Sequence, residues 1–145
     1  MIKKTVDFRT RICCKDNILI EIKNLETGEI RQITTHNDVS TDGLNWIRDM
    51  VNNDSGAGVT HFAMLEDSSE VVRLGVTQRD ATVDGQLTLK CYVPGNQGNG
   101  YTIDEVRLYN ASSGGTYYAS GTHDGIEKTS SIQITYTWVG TWTDN

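Results

Sequence analysis

From residue 17 onward the apolar positions fall in short groups, many with a two-residue period, separated by polar and glycine-bearing breaks. Asn17-Ile18-Leu19-Ile20-Glu21-Ile22-Lys23-Asn24-Leu25 is rich in β-branched residues and alternates in its second half. Glu26-Thr27-Gly28-Glu29 supplies a turn, and Ile30-Arg31-Gln32-Ile33-Thr34-Thr35 alternates again, a pattern that predicts a β-hairpin. Further strands are predicted at His61–Leu65, Val71–Arg79, Gly85–Val93, Tyr101–Tyr109, Thr116–Ser120 and Ser130–Trp142. The breaks between them are Glu66–Glu70, Asp80–Asp84, Pro94–Gly100, Asn110–Gly115 and His123–Lys128. The last strand alternates cleanly. Ile132, Ile134, Tyr136 and Trp138 share one face, and Ser131, Gln133, Thr135 and Thr137 share the other. Short strands at regular spacing with polar turns predict a mostly β chain folded as one antiparallel β-sandwich, with one face of each strand buried.

One segment departs from this period. Leu44, Ile47 and Val51 recur at helical spacing, Trp46 and Met50 pair beside them, and Ser40, Thr41 and Asp42 offer capping oxygens for the first turn. A short α-helix is predicted near residues 41–52, ended by Asn52-Asn53-Asp54-Ser55-Gly56-Ala57-Gly58. About ten residues of helix are not stable alone, so this one is expected to lie against a sheet and plug one end of it. Residues 1–16 show no clear period and read as an extended N-terminal arm, or as an edge strand around Arg9–Cys13, ahead of a sandwich domain over 17–145. No internal repeat or linker divides the chain further.

Composition sharpens this picture. The chain has 145 residues, 37% of them apolar, with a single proline, Pro94. No stretch approaches the roughly 20 apolar residues that span a bilayer, and the first residues lack the apolar run of a signal peptide, so synthesis in a cytoplasm without membrane insertion is expected. Cys13 and Cys14 are adjacent and Cys91 stands alone, a poor disulfide framework that fits no zinc spacing. The net charge of −6 is unevenly spread: Lys3, Lys4, Arg9, Arg11 and Lys15 face only Asp7 in the first fifteen residues, a net +4, and the remainder carries −10. An acidic body repels phosphates, so a nucleic-acid partner is not expected, whereas a basic leading segment suits docking on an acidic protein. An ordinary solvated terminus has the same composition.

Each candidate for chemistry has a simpler structural reading. Gly95-Asn96-Gln97-Gly98-Asn99-Gly100 is glycine-rich, but a phosphate cradle needs a helix N-terminus directly after it, and Tyr101-Thr102-Ile103 reads as strand. His36, His61 and His123 are scattered; Asp38 stands near His36, a weak hint of a metal. Asp104 and Glu105 point to opposite sides of a strand and do not converge as a glycosidase pair, and Glu66-Asp67 sits in a loop. Cys91, followed by Tyr92 in an apolar strand, reads as a buried thiol. No catalytic, cofactor or metal site is expected. Tyr117, Tyr118, Tyr136, Trp138 and Trp142 bias the C-terminal half toward aromatics, which serve cores, protein interfaces and sugar platforms alike.

The order of segments carries a resemblance. Asn37-Asp38-Val39-Ser40-Thr41-Asp42-Gly43-Leu44-Asn45-Trp46-Ile47, then His61-Phe62-Ala63-Met64-Leu65, then Ile103-Asp104-Glu105-Val106-Arg107-Leu108-Tyr109-Asn110, and finally the run from Lys128 through Ile132-Gln133-Ile134-Thr135-Tyr136-Thr137-Trp138 follow one after another. Over about residues 33–139 this resembles a family of small bacteriophage virion proteins, tail-associated or head-decorating. Where that family often has Gly-Thr-Gly after the short strand, Glu66-Asp67-Ser68 stands here. The resemblance implies a jelly-roll-like sandwich in a virion, commonly a homotrimer, and no catalysis. The resulting expectation is a capsid decoration protein that contacts itself and the major capsid or tail proteins. Its interface residues would be Lys3, Lys4, Arg9, Arg11, Lys15, Tyr117 and Trp142. A tail or baseplate accessory protein and a carbohydrate-binding module reading a host receptor are the alternatives.

Overall fold

The structure is a computed structural model and describes residues 12–43, 45, 47 and 58–144, with the side chains of residues 12–14, 143 and 144 left aside. Ten strands follow in order: β1 (Ile12–Asn24), β2 (Ile30–His36), β3 (Asp38–Val39), β4 (His61–Glu66), β5 (Ser69–Gly75), β6 (Gln78–Asp80), β7 (Gln86–Val93), β8 (Thr102–Tyr109), β9 (Tyr117–Glu127) and β10 (Ile132–Asp144). They form two five-stranded antiparallel sheets, β2-β1-β10-β7-β6 and β3-β9-β8-β4-β5. This is the predicted sandwich. The first and last long strands lie side by side within the first sheet, paired from Ile12–Asp144 to Asn24–Ile132.

The two-residue period decides what is buried. The first sheet turns Ile18, Ile20, Ile22, Leu89, Cys91, Val93, Ile134, Tyr136 and Trp138 inward. The second answers with Phe62, Met64, Ile103, Val106, Leu108, Ala119 and Ile126, so one core fills the space between the sheets. Phe62 bridges them, its ring 6.3 Å from that of Trp138 at 79° and 6.4 Å from that of Tyr136. Gly121 is needed here, since a Cβ would sit 2.3 Å from Ile18 Cδ1 of the opposite sheet.

Four details differ from the pattern. The strand predicted over Val71–Arg79 is two strands, because the chain leaves the second sheet after Gly75 and joins the first at Gln78. Strand β9 continues to Glu127, through the break expected at His123–Lys128. Its register with β8 slips there, from Glu105–Thr122 to Ile103–Ile126, so a bulge absorbs the polar residues that read as a turn. Strand β1 already begins at Ile12, which places residues 12–16 of the expected arm in the sheet; residues 1–11 lie outside the described residues. Of the predicted helix, Thr41–Gly43, Asn45 and Ile47 are helical, and residues 44, 46 and 48–52 lie outside the described residues. Ser40 caps it, its Oγ accepting the Gly43 amide at 2.9 Å. The first turn is pressed onto β9, where a Cβ on Gly43 would lie 2.2 Å from the Tyr118 carbonyl oxygen.

Candidate functional site

Strand β10 turns Trp138, Gly140 and Trp142 to the same side, so a residue without a side chain stands between two indoles. A Cβ at Gly140 would meet the Trp142 ring at 2.9 Å and Asp16 Oδ1 at 3.1 Å. Beside Gly140 the sheets enclose an open cavity of about 380 Å³. Leu87 and Leu89 of β7 line its first-sheet side, and Leu108 and Tyr118 face them. Ile47, Gly58 and Val59 close part of its end. This volume is near the lower end for small-ligand sites and well above the roughly 150 Å³ that holds benzene.

Among the described residues, two charged ones border the cavity. Asp16 is 5% exposed and accepts the Trp138 indole N–H at 2.9 Å and the Asn37 amide at 2.5 Å, tying β1, β10 and the β2–β3 crossover together. Arg79, on β6, donates to the Val59 carbonyl. The rest of the described lining is mostly apolar, so the cavity offers mainly apolar contact.

The outer faces of the two sheets differ. Across the first sheet, pairing sets Thr34, Leu19, Thr137, Lys90 and Gln78 in one row, and His36, Asn17, Val139, Thr88 and Asp80 in the next. Gln32, Glu21, Thr135 and Tyr92 form a third. This face sets threonines, Leu19 and Val139 among Lys15, Glu21, Lys23, Lys90 and Asp80. The second sheet instead carries cations laid on rings. Arg73 lies 3.6 Å from the Tyr109 ring centre and Arg107 4.8 Å from that of Tyr117. Arg73 also pairs with Glu70 at 2.6 Å and donates to the Ala111 and Gly114 carbonyls, fastening the 110–115 loop; Arg107 pairs with Glu105.

The three expected site residues that are described, Lys15, Tyr117 and Trp142, are not brought together. Lys15 is exposed on the outer face of the first sheet, opposite Thr141. Tyr117 is half-buried on the outer face of the second, its ring 5.9 Å from Tyr109. Trp142 lines the cavity. Lys3, Lys4, Arg9 and Arg11 lie outside the described residues. Asp104 and Glu105 have separate partners, Asp104 accepting the Asp67 amide at 3.2 Å while Glu105 holds Arg107. Among the described residues no three His, Cys, Asp or Glu side chains gather as a metal would need, and no helix is long and apolar enough to cross a membrane.

Sequence reasoning missed Lys128. It is fully buried, and its Nζ donates to Asn99 Oδ1 at 2.8 Å, the Thr129 carbonyl at 3.0 Å and the Gly95 carbonyl at 3.4 Å. The glycine-rich loop therefore wraps an ammonium with its oxygens, the inverse of a phosphate cradle. Burial holds this amine below its ordinary pKa. Beside it, a polar cleft is bordered by Tyr101, Thr102, Glu127 and Ser130, with Tyr101 47% exposed.

No family model matches the chain, and neither a curated protein nor a solved structure matches it. Fold and site together define a two-sheet antiparallel sandwich with an apolar cavity and a threonine-rich outer face on its first sheet.

Proposed function

We propose that this chain is a non-enzymatic structural protein of a bacteriophage virion, a capsid decoration protein that binds the particle as an oligomer. The observation that carries the reading is the outer face of the first sheet. Strands β1 and β10 are 13 residues long, so the face runs roughly 40 Å along them, and it approaches about 20 Å in width only where β2, β7 and β6, of 7, 8 and 3 residues, flank them. Specific protein interfaces need on the order of 800 Å² per partner. Threonine rows with Leu19 and Val139 supply apolar contact there, and Lys15, Glu21, Lys23, Lys90 and Asp80 supply charges of both signs for a partner to match. The segments on which the resemblance to small virion proteins rests lie on the elements that build the sandwich: Asn37–Ile47 on the crossover and helix start, Ile103–Asn110 on and just after β8, and Lys128–Trp138 leading into β10.

The test is mass spectrometry of density-purified particles from a culture carrying the sequence. A virion component is recovered in fixed stoichiometry with the major capsid protein; a component of the head is absent from isolated tails. Loss of the chain on purification refutes the proposal.

The exposed Tyr101 ring beside a polar cleft favours a second reading, a carbohydrate-binding module at a tail tip. Binding on a glycan array that is lost in Tyr101→Ala would establish it; no binding removes it.

A further inference from the structure

We infer that Lys128 and Asn99 become joined by an isopeptide bond, a covalent tie between the β7–β8 and β9–β10 connections that forms with loss of ammonia. This goes beyond the assembly reading above and does not depend on it.

The two partners are already in contact. Lys128 Nζ donates to Asn99 Oδ1 at 2.8 Å. A C=O bond is about 1.2 Å long, so Asn99 Cγ lies within about 4 Å of the amine, near the roughly 3–3.5 Å from which such attacks begin. The carboxamide is held from its other end, where Nδ2 donates to the Gly95 carbonyl at 2.9 Å. Backbone bonds keep the two connections in register. The Gly100 amide donates to the Lys128 carbonyl and the Lys128 amide to the Tyr101 carbonyl, each at 2.9 Å. Both connections pass from one sheet to the other, so the bond fastens two crossings at one end of the sandwich.

The surroundings suit the reaction. Lys128 is fully buried, and burial lowers its pKa, so more of the amine is neutral and nucleophilic than on a surface lysine. The proton it gives up is the one on Asn99 Oδ1. The Thr129 carbonyl at 3.0 Å and the Gly95 carbonyl at 3.4 Å then hold the nitrogen while its lone pair turns to Cγ. As the Nζ–Cγ bond forms, the C=O electron pair moves onto Oδ1. As that pair returns, the Cγ–Nδ2 bond breaks. One proton passes from Nζ to Nδ2, and the products are a secondary amide and ammonia. Glu127 lines the same polar cleft and supplies a carboxylate to relay that proton. Asn99 is exposed, so the ammonia departs into solvent.

The hydrogen-bonded pair is the form that folding produces, and the bond closes on standing. It spans a sequence separation of 29 positions. A cross-link of that reach withdraws freedom from the unfolded chain and so strengthens the fold.

The test is the intact mass of the purified full chain, followed through incubation at pH 8. The mass is expected to fall below the sequence value by one ammonia. Trypsin should then fail to cut at Lys128, and the peptide 91–107 should be recovered joined to an uncut 108–145. Asn99→Ala and Lys128→Arg are expected to keep the full masses of their sequences, and Glu127→Gln to slow closure about 100-fold. The closed wild-type chain should unfold at a higher urea midpoint than Asn99→Ala. A wild-type mass that stays at the sequence value overturns the inference. So does a loss of ammonia that leaves Lys128 open to trypsin, which marks a succinimide at Asn99-Gly100 instead.

Discussion

His123 shows how one buried ring couples the fold to pH. Its Nδ1 lies 2.8 Å from the Asp124 carbonyl, which can only accept, so Nδ1 carries the hydrogen. In the neutral ring Nε2 then accepts from the Tyr136 hydroxyl at 3.1 Å. Protonation would make Nε2 a donor and strand the phenol hydrogen in the core. Burial lowers the His123 pKa from 6.5, against the raising influence of its bond to Asp124 and the charges of Asp104 and Asp124. The unfolded chain therefore binds a proton near pH 6.5 that the folded chain refuses. The stability linked to this ring is complete above pH 6.5 and is lost as pH falls through the lower folded value. Urea unfolding at a series of pH values should show that slope flattened in His123→Gln. Lys128 gives a second residue-scale outcome. Lys128→Met keeps the buried stem but takes the ammonium from Asn99 Oδ1 and leaves the Gly95 and Thr129 carbonyls with only the Asn99 amide and the Ile132 N–H, at a cost of about 1–3 kcal/mol in unfolding free energy. At Cys91, burial pushes the thiol up to about 12. In a Cys13→Ser, Cys14→Ser background it should resist Ellman's reagent at pH 8 until denaturant is added. The burial of Cys91 was legible from its place in an apolar strand. Lys128 was not, because a lysine before Thr129-Ser130-Ser131 has the local pattern of a solvated turn.

At the scale of the element, the hairpin between β4 and β5 turns on Asp67 and Ser68, with φ of 47° and 65°. Two successive positive φ angles are those of a type I′ turn, which matches strand twist but disfavours residues other than glycine and asparagine. Asp67→Asn with Ser68→Gly should raise stability by about 1 kcal/mol, read as a shifted denaturation midpoint at unchanged m-value. Glu66 must be kept, since its carboxylate accepts the Thr102 amide. The strands around this turn were legible because period-two burial is written into Phe62, Met64, Val72 and Leu74. The division of 71–79 between two sheets was not. Val76 donates to the Thr60 carbonyl and Thr77 to the Lys90 carbonyl, partners fixed only when both sheets exist. The length of β9 escaped for the same reason: Tyr136 and Asp104 give His123 and its bulge a place in the sheet that the polar run His123-Asp124-Gly125 does not announce.

For the whole molecule, the prediction concerns the outer face of the first sheet. Leu19→Lys and Val139→Lys place charges there without touching the core. The folded monomer should lose about 1 kcal/mol at most. Sedimentation should nevertheless show the proposed oligomer dissociated, because two ammonium groups would be buried unpaired. An undiminished oligomer in this variant assigns assembly to another surface.

By itself the sequence determined the class of fold and most of its core, because alternation and turn chemistry are local and strands read them within a few residues. Ile18 to Ile22, Phe62 and Met64, and Ile134 to Trp138 were legible as buried faces on that basis. Only the tertiary structure decided that Trp142 and Gly140 border a cavity while Tyr117 lies across the molecule against Arg107. It alone decided that Asp16 would sit beneath an indole and Lys128 inside a loop. These groups meet across separations as large as the 122 positions between Asp16 and Trp138. No local pattern encodes such meetings, since they depend on how two sheets face one another and on which strands close the ends.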